Sequence, residues 1–348
     1  MIEPVKWKGG RIIFIDQTEL PARLKYEACG DIDMLCEAIK KLRIRGAPLI
    51  GVAVALGYAL ACVTSKAKTI DGLRKDLKKA ANKLRGTRPT AVNLFWALDR
   101  MESKSGSVSR HARRLMEPDK VITKVKKSVL KEALKILQED KDMCVAIGRN
   151  GAKLIKNNDV ILTHCNAGIL ATAGQGTALS VLYEAKKQGK RFKVYADETR
   201  PLMQGSRLTM WELMRNRIDA TLICDDMAAS AMKNKGITKI IVGADRIARN
   251  GDSANKIGTY ALAILAKYHG IPFYVAAPGS TIDKNIKSGG DIPIEERDRG
   301  EILRIGPKQT APVGAKAYNP AFDVTPASLI TAIITDKGIY APGQIGRV

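Results

Sequence analysis

An α/β protein is predicted, with a parallel sheet covered by helices that follows a smaller, mostly helical N-terminal region. Three observations lead there. From residue 158 onward, short β-rich runs alternate with helical stretches: DVILTH (159–164), FKVYA (192–196), ATLIC (220–224), KIIVGA (239–244) and PFYVAA (272–277). Regular β–α alternation is the pattern of a parallel sheet with helices on both faces. Before residue 158 the apolar spacing is mostly helical. A long helix expected over 128–156, with Leu130, Leu134, Leu137, Cys144, Ile147 and Leu154 on one stripe, joins the two regions. The expected division is 1–127, a linking helix at 128–157, and 158–348.

In chain order, RIIFI (11–15) and residues 20–28 read as strands around a turn at Asp16–Thr18. Residues 31–42 place Ile32, Leu35, Cys36, Ile39 and Leu42 on one helix face, with Asp31 as N-cap. Helices follow at about 48–62, 70–85 and 89–101, the first and last opening beside Pro48 and Pro89, which suits a first turn. Residues 102–127 differ. SKSGSVSRHARRLMEPDKVITKVKK carries eight Lys/Arg against two acids, and its Ser/Gly start reads as exposed and partly mobile.

The chain has 348 residues, 45% of them hydrophobic but only 5% aromatic, so Leu, Ile, Val and Ala must build the core. The formal net charge of +23 favours anionic substrates or polyanions and leaves nucleic acid open as a partner, although most lysines are scattered. The six cysteines form no CxxC pair and no cluster with zinc spacing, so they read as free thiols of a reducing compartment. The N-terminus MIEPVKWKGG has no apolar signal core, which predicts a cytoplasmic protein. Gly46–Val63 is uncharged, but it is rich in Gly and Ala and reads as a buried helix rather than a membrane span.

Sites in open α/β sheets lie beyond the carboxyl ends of the strands. There this sequence has His164-Cys165-Asn166-Ala167-Gly168, Asp197-Glu198-Thr199-Arg200, Asp225-Asp226, Asp245-Arg246 and Pro278-Gly279-Ser280. Cys165 precedes a Gly-rich run, ATAGQGTA (171–178), whose amides can lead into a helix N-terminus and receive an anion. The run matches neither GxGxxG nor a P-loop. One more buried thiol is the plainer reading of Cys165. Asp245 closes an apolar strand, where burial would keep a carboxyl protonated for use as an acid; a helix cap or a salt bridge to Arg246 is equally open. Asn255 and Lys256 are expected to head the next helix. Arg45 and Arg88 each precede a helix start, a setting that suits phosphate; for either alone a surface salt bridge is the plainer reading, and the two together leave binding equally open. His111, His164 and His269 lack ligand spacing, so neither a metal site nor a Ser-His-Asp hydrolase is indicated; His164 either orients the Cys165 loop or packs.

Taken together, the blocks RIRGAPLIGVAVALG, GTRPTAVNLFWALDRM, ILTHCNAGILATAGQGTAL, VYADETRPLMQGSRLTMWEL, VGADRIARNGDSANKIGTYALA and GGDIPIEERD resemble the S-methyl-5-thioribose-1-phosphate isomerases of methionine salvage, in order from about residue 5 to residue 340. The wider superfamily includes ribose-1,5-bisphosphate isomerases and regulatory subunits of translation initiation factor 2B. The resemblance implies a Rossmann-like C-terminal domain and a cytoplasmic homodimer that works without metal or cofactor on a small sugar phosphate, converting the aldose 1-phosphate to its ketose. It places the catalytic pair on Cys165 and Asp245, and substrate binding on Arg45, Gly46, Ala47, Arg88, Gln204, Asn255 and Lys256. The basic segment 102–127 is not part of the family pattern. A non-catalytic binding subunit would have no need of Cys165 and Asp245.

Overall fold

The computed structural model describes residues 2–88, 90–113 and 117–348. Two compact units are present: Met1–Asp142 with Ile169–Gly174, and Met143–Gly168 with Gln175–Val348.

The first unit opens with an antiparallel sheet of β1 (Val5–Lys8), β2 (Arg11–Ile15) and β3 (Tyr26–Cys29). The strand expected over 20–28 is thus confined to its last residues, because 16–25 is used in turns. The helices are α1 (Ile32–Lys40), α2 (Ala47–Thr64), α3 (Ile70–Arg85), α4 (Val92–Arg113) and α5 (Pro118–Ala152). Asp31 caps α1 by accepting from Met34 N, and Thr69 caps α3 by accepting from Gly72 N. The helix α2 is apolar all round, and 83% of it is buried inside the protein, which is where such a helix must sit in the absence of lipid. At Gly51 a Cβ would stand 2.9 Å from the Asn93 carbonyl oxygen, so the missing side chain lets α2 and α4 touch backbone to backbone.

Two sequence expectations are corrected here. Residues 102–127 are not an exposed mobile stretch where they are described. The helix α4 runs on to Arg113 and α5 begins at Pro118, with Val121, Ile122 and Val125 buried. Their i, i+1, i+4 spacing faces the core while Lys120, Lys124 and Lys127 are exposed, so the charge count masked a helical stripe. The helix expected over 128–156 therefore starts earlier, at Pro118, nearly three turns of basic sequence before, and stops at Ala152. Pro89, expected at a helix start, lies outside the described residues, and α4 begins at Val92.

The second unit is built from β4 (Asp159–Thr163), α6 (Ala178–Lys187), β5 (Phe192–Asp197), α7 (Met210–Arg215), β6 (Ala220–Ile223), α8 (Ala228–Asn234), β7 (Lys239–Val242), β8 (Arg246–Ala248), β9 (Ser253–Lys256), α9 (Thr259–Tyr268), β10 (Phe273–Ala276), β11 (Ile282–Asp283), α10 (Gly300–Leu303), β12 (Arg304–Ile305), β13 (Lys308–Gln309), β14 (Phe322–Thr325), β15 (Ala332–Ile334) and β16 (Ile339–Tyr340). The main sheet has the order β16-β15-β10-β7-β4-β5-β6 and is parallel except for β16. Alternate residues serve opposite faces: Leu162, Ile240 and Val242 pack on the α8–α9 side, and Ile161, Ile241 and Val194 on the α6–α7 side. A second sheet, β11-β8-β9-β14, was not foreseen, because its strands are short and polar.

The order of the main sheet has one consequence for function. The chain lays down β4, β5 and β6 in one direction, then returns to place β7 on the other side of β4 and continues through β10 and β15. The switch point, where ligands settle in such sheets, is the gap between the carboxyl ends of β4 and β7.

Candidate active site

Cys165 follows β4 and Asp245 follows β7, the two strands that flank the switch point, with Leu162 paired to Ile240. The close approach of these two loops depends on Gly243, where a Cβ would stand 2.7 Å from that of Ala167. Cys165 is 9% exposed and sits in the left-handed region at φ 61°, which is uncommon for a residue with a side chain. Its N–H donates to Thr199 Oγ1 at 2.8 Å, and its carbonyl accepts from Thr209 Oγ1 at 2.5 Å. Thr199 is itself left-handed at φ 65°, a true outlier for a β-branched residue. Its own N–H and that of Arg200 donate to the two Asp225 carboxylate oxygens, at 2.8 and 2.6 Å. Strained backbone held by surrounding hydrogen bonds costs about 1–3 kcal/mol per residue and concentrates at functional sites.

The next residue, Asn166, is fixed by its Nδ2, which donates to Glu212 Oε1 at 2.9 Å, and Tyr183 holds the other oxygen of that carboxylate at 2.8 Å. The preceding residue, His164, is fully buried. Its Nδ1 lies 2.9 Å from Asp197 Oδ2 and its Nε2 2.9 Å from the Ile257 carbonyl. A carbonyl can only accept, so Nε2 carries a hydrogen, and a second proton must lie between Nδ1 and Oδ2. Burial works against charge on His164, but Asp197 outweighs it and its pKa rises; burial likewise raises that of Asp197. Gly258, at φ 102°, makes room for the ring: a Cβ there would stand 2.9 Å from Cε1.

His164, Asp197 and Asp225 are the group among the described residues whose donor atoms could hold a metal ion, lying within 4.8 Å of one another. The shared proton already accounts for the His164–Asp197 contact, and both Asp225 oxygens accept backbone N–H groups.

Asn255 and Lys256 do not head a helix, as the sequence suggested. They lie on β9, both buried, and α9 starts at Thr259 with Asp323 accepting from the N–H groups of Gly258 and Tyr260. The Ser253–Lys256 run is polar yet pairs with β8 and β14, a long-range match invisible in local spacing. Asn255 Nδ2 donates to Thr259 Oγ1 at 3.0 Å, and Lys256 Nζ to the Ala321 carbonyl at 2.7 Å while it stands over the Phe322 ring. Gln204 is 6% exposed, and its Oε1 has no hydrogen-bond partner among the described residues.

The Gly-rich run is shared between the units. Residues 169–174 belong to the first, and 175 onward leads to α6, where the N–H groups of Thr177 and Leu179 are both taken by the Ala167 carbonyl. In the first unit, Arg45, Gly46 and Ala47 form the entry to α2, with Arg45 half-buried and Ala47 7% exposed. Arg88 is half-buried in the turn before α4. The six cysteines are free; five are buried, while Cys224 is half-buried rather than enclosed as its apolar run suggested.

The sequence reading missed Thr199 and the His164–Asp197 pairing as parts of one assembly. The ADETRP block carried the only signal, since neither residue type at those positions announces a left-handed turn or a partner 33 residues away.

Comparison with known proteins agrees with this architecture. The model of the Initiation factor 2 subunit family matches residues 43–342. A methylthioribose-1-phosphate isomerase of Heliobacterium modesticaldum is 51% identical over 98% of this chain and 96% of its own length. A 5-deoxyribose 1-phosphate isomerase of Moorella thermoacetica is 51% identical over 98% of this chain and 95% of its own. The crystal structure of 5-methylthioribose 1-phosphate isomerase from Pyrococcus horikoshii superposes with a TM-score of 0.89 at 44% identity, covering 100% of this chain and 95% of that one. With that much of its length matched, this chain belongs to the Initiation factor 2 subunit family.

Proposed function

We propose that this protein is an aldose–ketose isomerase that converts S-methyl-5-thioribose 1-phosphate to S-methyl-5-thioribulose 1-phosphate, as its relatives' names describe for them. It is an enzyme of the isomerase class, acting in methionine salvage. The observation that carries the site assignment is the position of Cys165 and Asp245 on the two strands flanking the switch point.

The phosphate on the anomeric oxygen prevents ring opening by simple loss of a hydroxyl proton. The C1–ring oxygen bond must break with a proton delivered to that oxygen, the C2 hydrogen must arrive at C1, and the C2 hydroxyl must give up its proton to become the ketone. Atoms balance with no external oxidant. Asp245 gives the proton to the ring oxygen and recovers one from the C2 hydroxyl. Cys165 serves the hydrogen transfer, carrying a proton between C2 and C1. Arg45, Gly46, Ala47, Arg88, Gln204, Asn255 and Lys256 bind the substrate, and Gln204 Oε1 offers a buried acceptor to a sugar hydroxyl. Deuterium at C2 that is kept in full in the product would replace the proton carrier with a direct hydride shift.

Two copies associate in the cytoplasm in this reading. Support comes from the apolar stripe of Tyr260, Ile264 and Tyr268, which is 40–84% exposed on α9, and from the exposed Leu222 on the edge strand β6. Such patches suit association.

Turnover assays with methylthioribose 1-phosphate, 5-deoxyribose 1-phosphate and ribose 1,5-bisphosphate test the function. The first should have the highest kcat/KM. Preference for the bisphosphate would call for a second cationic subsite and displace the substrate assignment. Absence of turnover together with salt-sensitive RNA binding would make the chain a binding subunit.

A further inference from the structure

We infer that Asp140, on α5, is a positioning residue for the substrate-binding turn Arg45–Ala47: its carboxylate clamps the strap Ile169–Gly174, and the strap packs directly on Gly46. The inference rests on the reading of that turn as substrate-binding. All of these residues belong to the first unit.

The strap is a buried 3-10 turn, Ile169–Ala171, with the three residues that follow it, and contacts from three segments reach it. Gln17 Nε2 donates to the Leu170 carbonyl at 2.8 Å. Gly46 meets Ala171 so closely that a Cβ, strained in any case at φ 96°, would lie 2.5 Å from the Ala171 Cα. Asp140 accepts from Ala173 N at 2.6 Å, and beside it the N–H of Gly174 donates to Thr172 Oγ1 at 3.2 Å. These contacts hold Leu170, Ala171 and Ala173 of a strap that has no charged side chain of its own.

Asp140 is 4% exposed. Burial pushes its carboxyl up to about 6, against the nearby backbone N–H groups, which favour its charged form. Charged residues on the surrounding segments include Glu139 and Lys141, paired with Arg100 and Glu3, Asp16 paired with Arg43, Asp142, and Arg45 on the turn itself. An asparagine would fill the same space without the cost of a buried charge. What the carboxylate adds is charge: its bond to Ala173 N is charge-assisted, about twice as strong as the neutral one an amide oxygen would make. The ionised form is therefore the one that clamps, and protonation weakens the bond to Ala173 N.

The test is Asp140→Asn in the full-length enzyme, with kcat and KM measured from pH 5 to 8 on the preferred sugar phosphate. Loss of a charge-assisted hydrogen bond predicts a KM about tenfold higher at pH 8 with kcat within about twofold. The ratio of variant to wild-type KM should fall toward one at pH 5, where the wild-type carboxyl is protonated; taking the ratio removes the substrate's own phosphate titration. Asp140→Glu should not rescue, since the longer chain cannot occupy the same closed space. A ratio independent of pH, or a loss confined to kcat, would overturn the inference. If the variant does not fold, amide exchange of the wild-type protein decides: the protection factor at Ala173 should drop at least about tenfold between pH 7 and pH 5, and unchanged protection overturns the clamp. The exchange readout needs no substrate, so it also separates failure of the clamp from failure of the isomerase reading.

Discussion

The imidazole of His164 is held 2.9 Å from the Asp197 carboxylate, one residue before the cysteine at the switch point. Through this contact and the Ile257 carbonyl, one side chain ties the end of β4 to the end of β5 and to the turn that follows β9. Both pKa values are shifted upward, so the pair keeps protons in the folded protein that it would release in the unfolded chain. The contribution of His164 is fully present below the unfolded value of about 6.5 and fades as pH rises through the folded value. Asp197 contributes with the same sign from the acid side. Urea unfolding from pH 6 to 9.5 should show wild type losing more stability with rising pH than His164→Gln. Parallel slopes would mean the pair does not share its extra proton in the fold.

Cys165→Ala and Asp245→Asn should each reduce kcat by a factor on the order of 10² or more while the protein stays folded. Single-turnover kinetics with circular dichroism as the folding control would decide this, and near-normal turnover in either variant would remove that residue from the chemistry.

Thr199→Val should destabilise by about 1–3 kcal/mol and lower kcat, because it removes the acceptor for the Cys165 N–H in a buried loop. Thr199→Ser keeps the hydroxyl and should recover most of both. If serine and valine behave alike, the hydrogen bond is not what holds Cys165 in its left-handed conformation.

At the opposite edge of the sheet, Lys239 Nζ lies 2.5 Å from Asp159 Oδ2, with both side chains 8% exposed. Burial alone would raise the Asp159 pKa, but Lys239 and the hydrogen bonds from Lys156 and Thr238 bring it below the ordinary carboxylate value. Lys239→Met strands that carboxylate and should cost about 3–5 kcal/mol. Since Asp159 is depressed, its contribution is present above the unfolded value and is lost as pH falls through the folded one, so the wild-type advantage should vanish in acid. kcat/KM should not change, because the pair is at the amino ends of the strands; a large loss of activity in folded protein would contradict this separation of stability from catalysis.

Gly243→Ala should lower kcat about tenfold or more for a modest loss in melting temperature. Its Cβ would press on Ala167 and drive the Cys165 loop away from the Asp245 loop. A destabilisation above about 4 kcal/mol without a specific kcat effect would make Gly243 a packing residue only.

Much of this protein was legible in its sequence because the signals were local. Asp31 as a helix cap, the helix at 70–85, the five parallel strands and the reactive residues at their carboxyl ends all follow from periodicity, capping chemistry and turn residues within a few positions of each other. The matches to family blocks then placed Cys165 and Asp245. Other features depended on segments far apart in the chain. Strand order put β7 beside β4, and so made two strand-end residues neighbours of one switch point. The polar run Ser253–Lys256 became a strand only by pairing with β8 and β14. The left-handed turns of Cys165 and Thr199 persist because one hydrogen bond joins them and Asp225 holds the Thr199 N–H. Asp140, an unremarkable acid on a helix by sequence, became a buried clamp once residues 169–174 folded against it. Sequence spacing determines what a segment prefers on its own, and only burial and long-range hydrogen bonding decide which of those preferences are overruled.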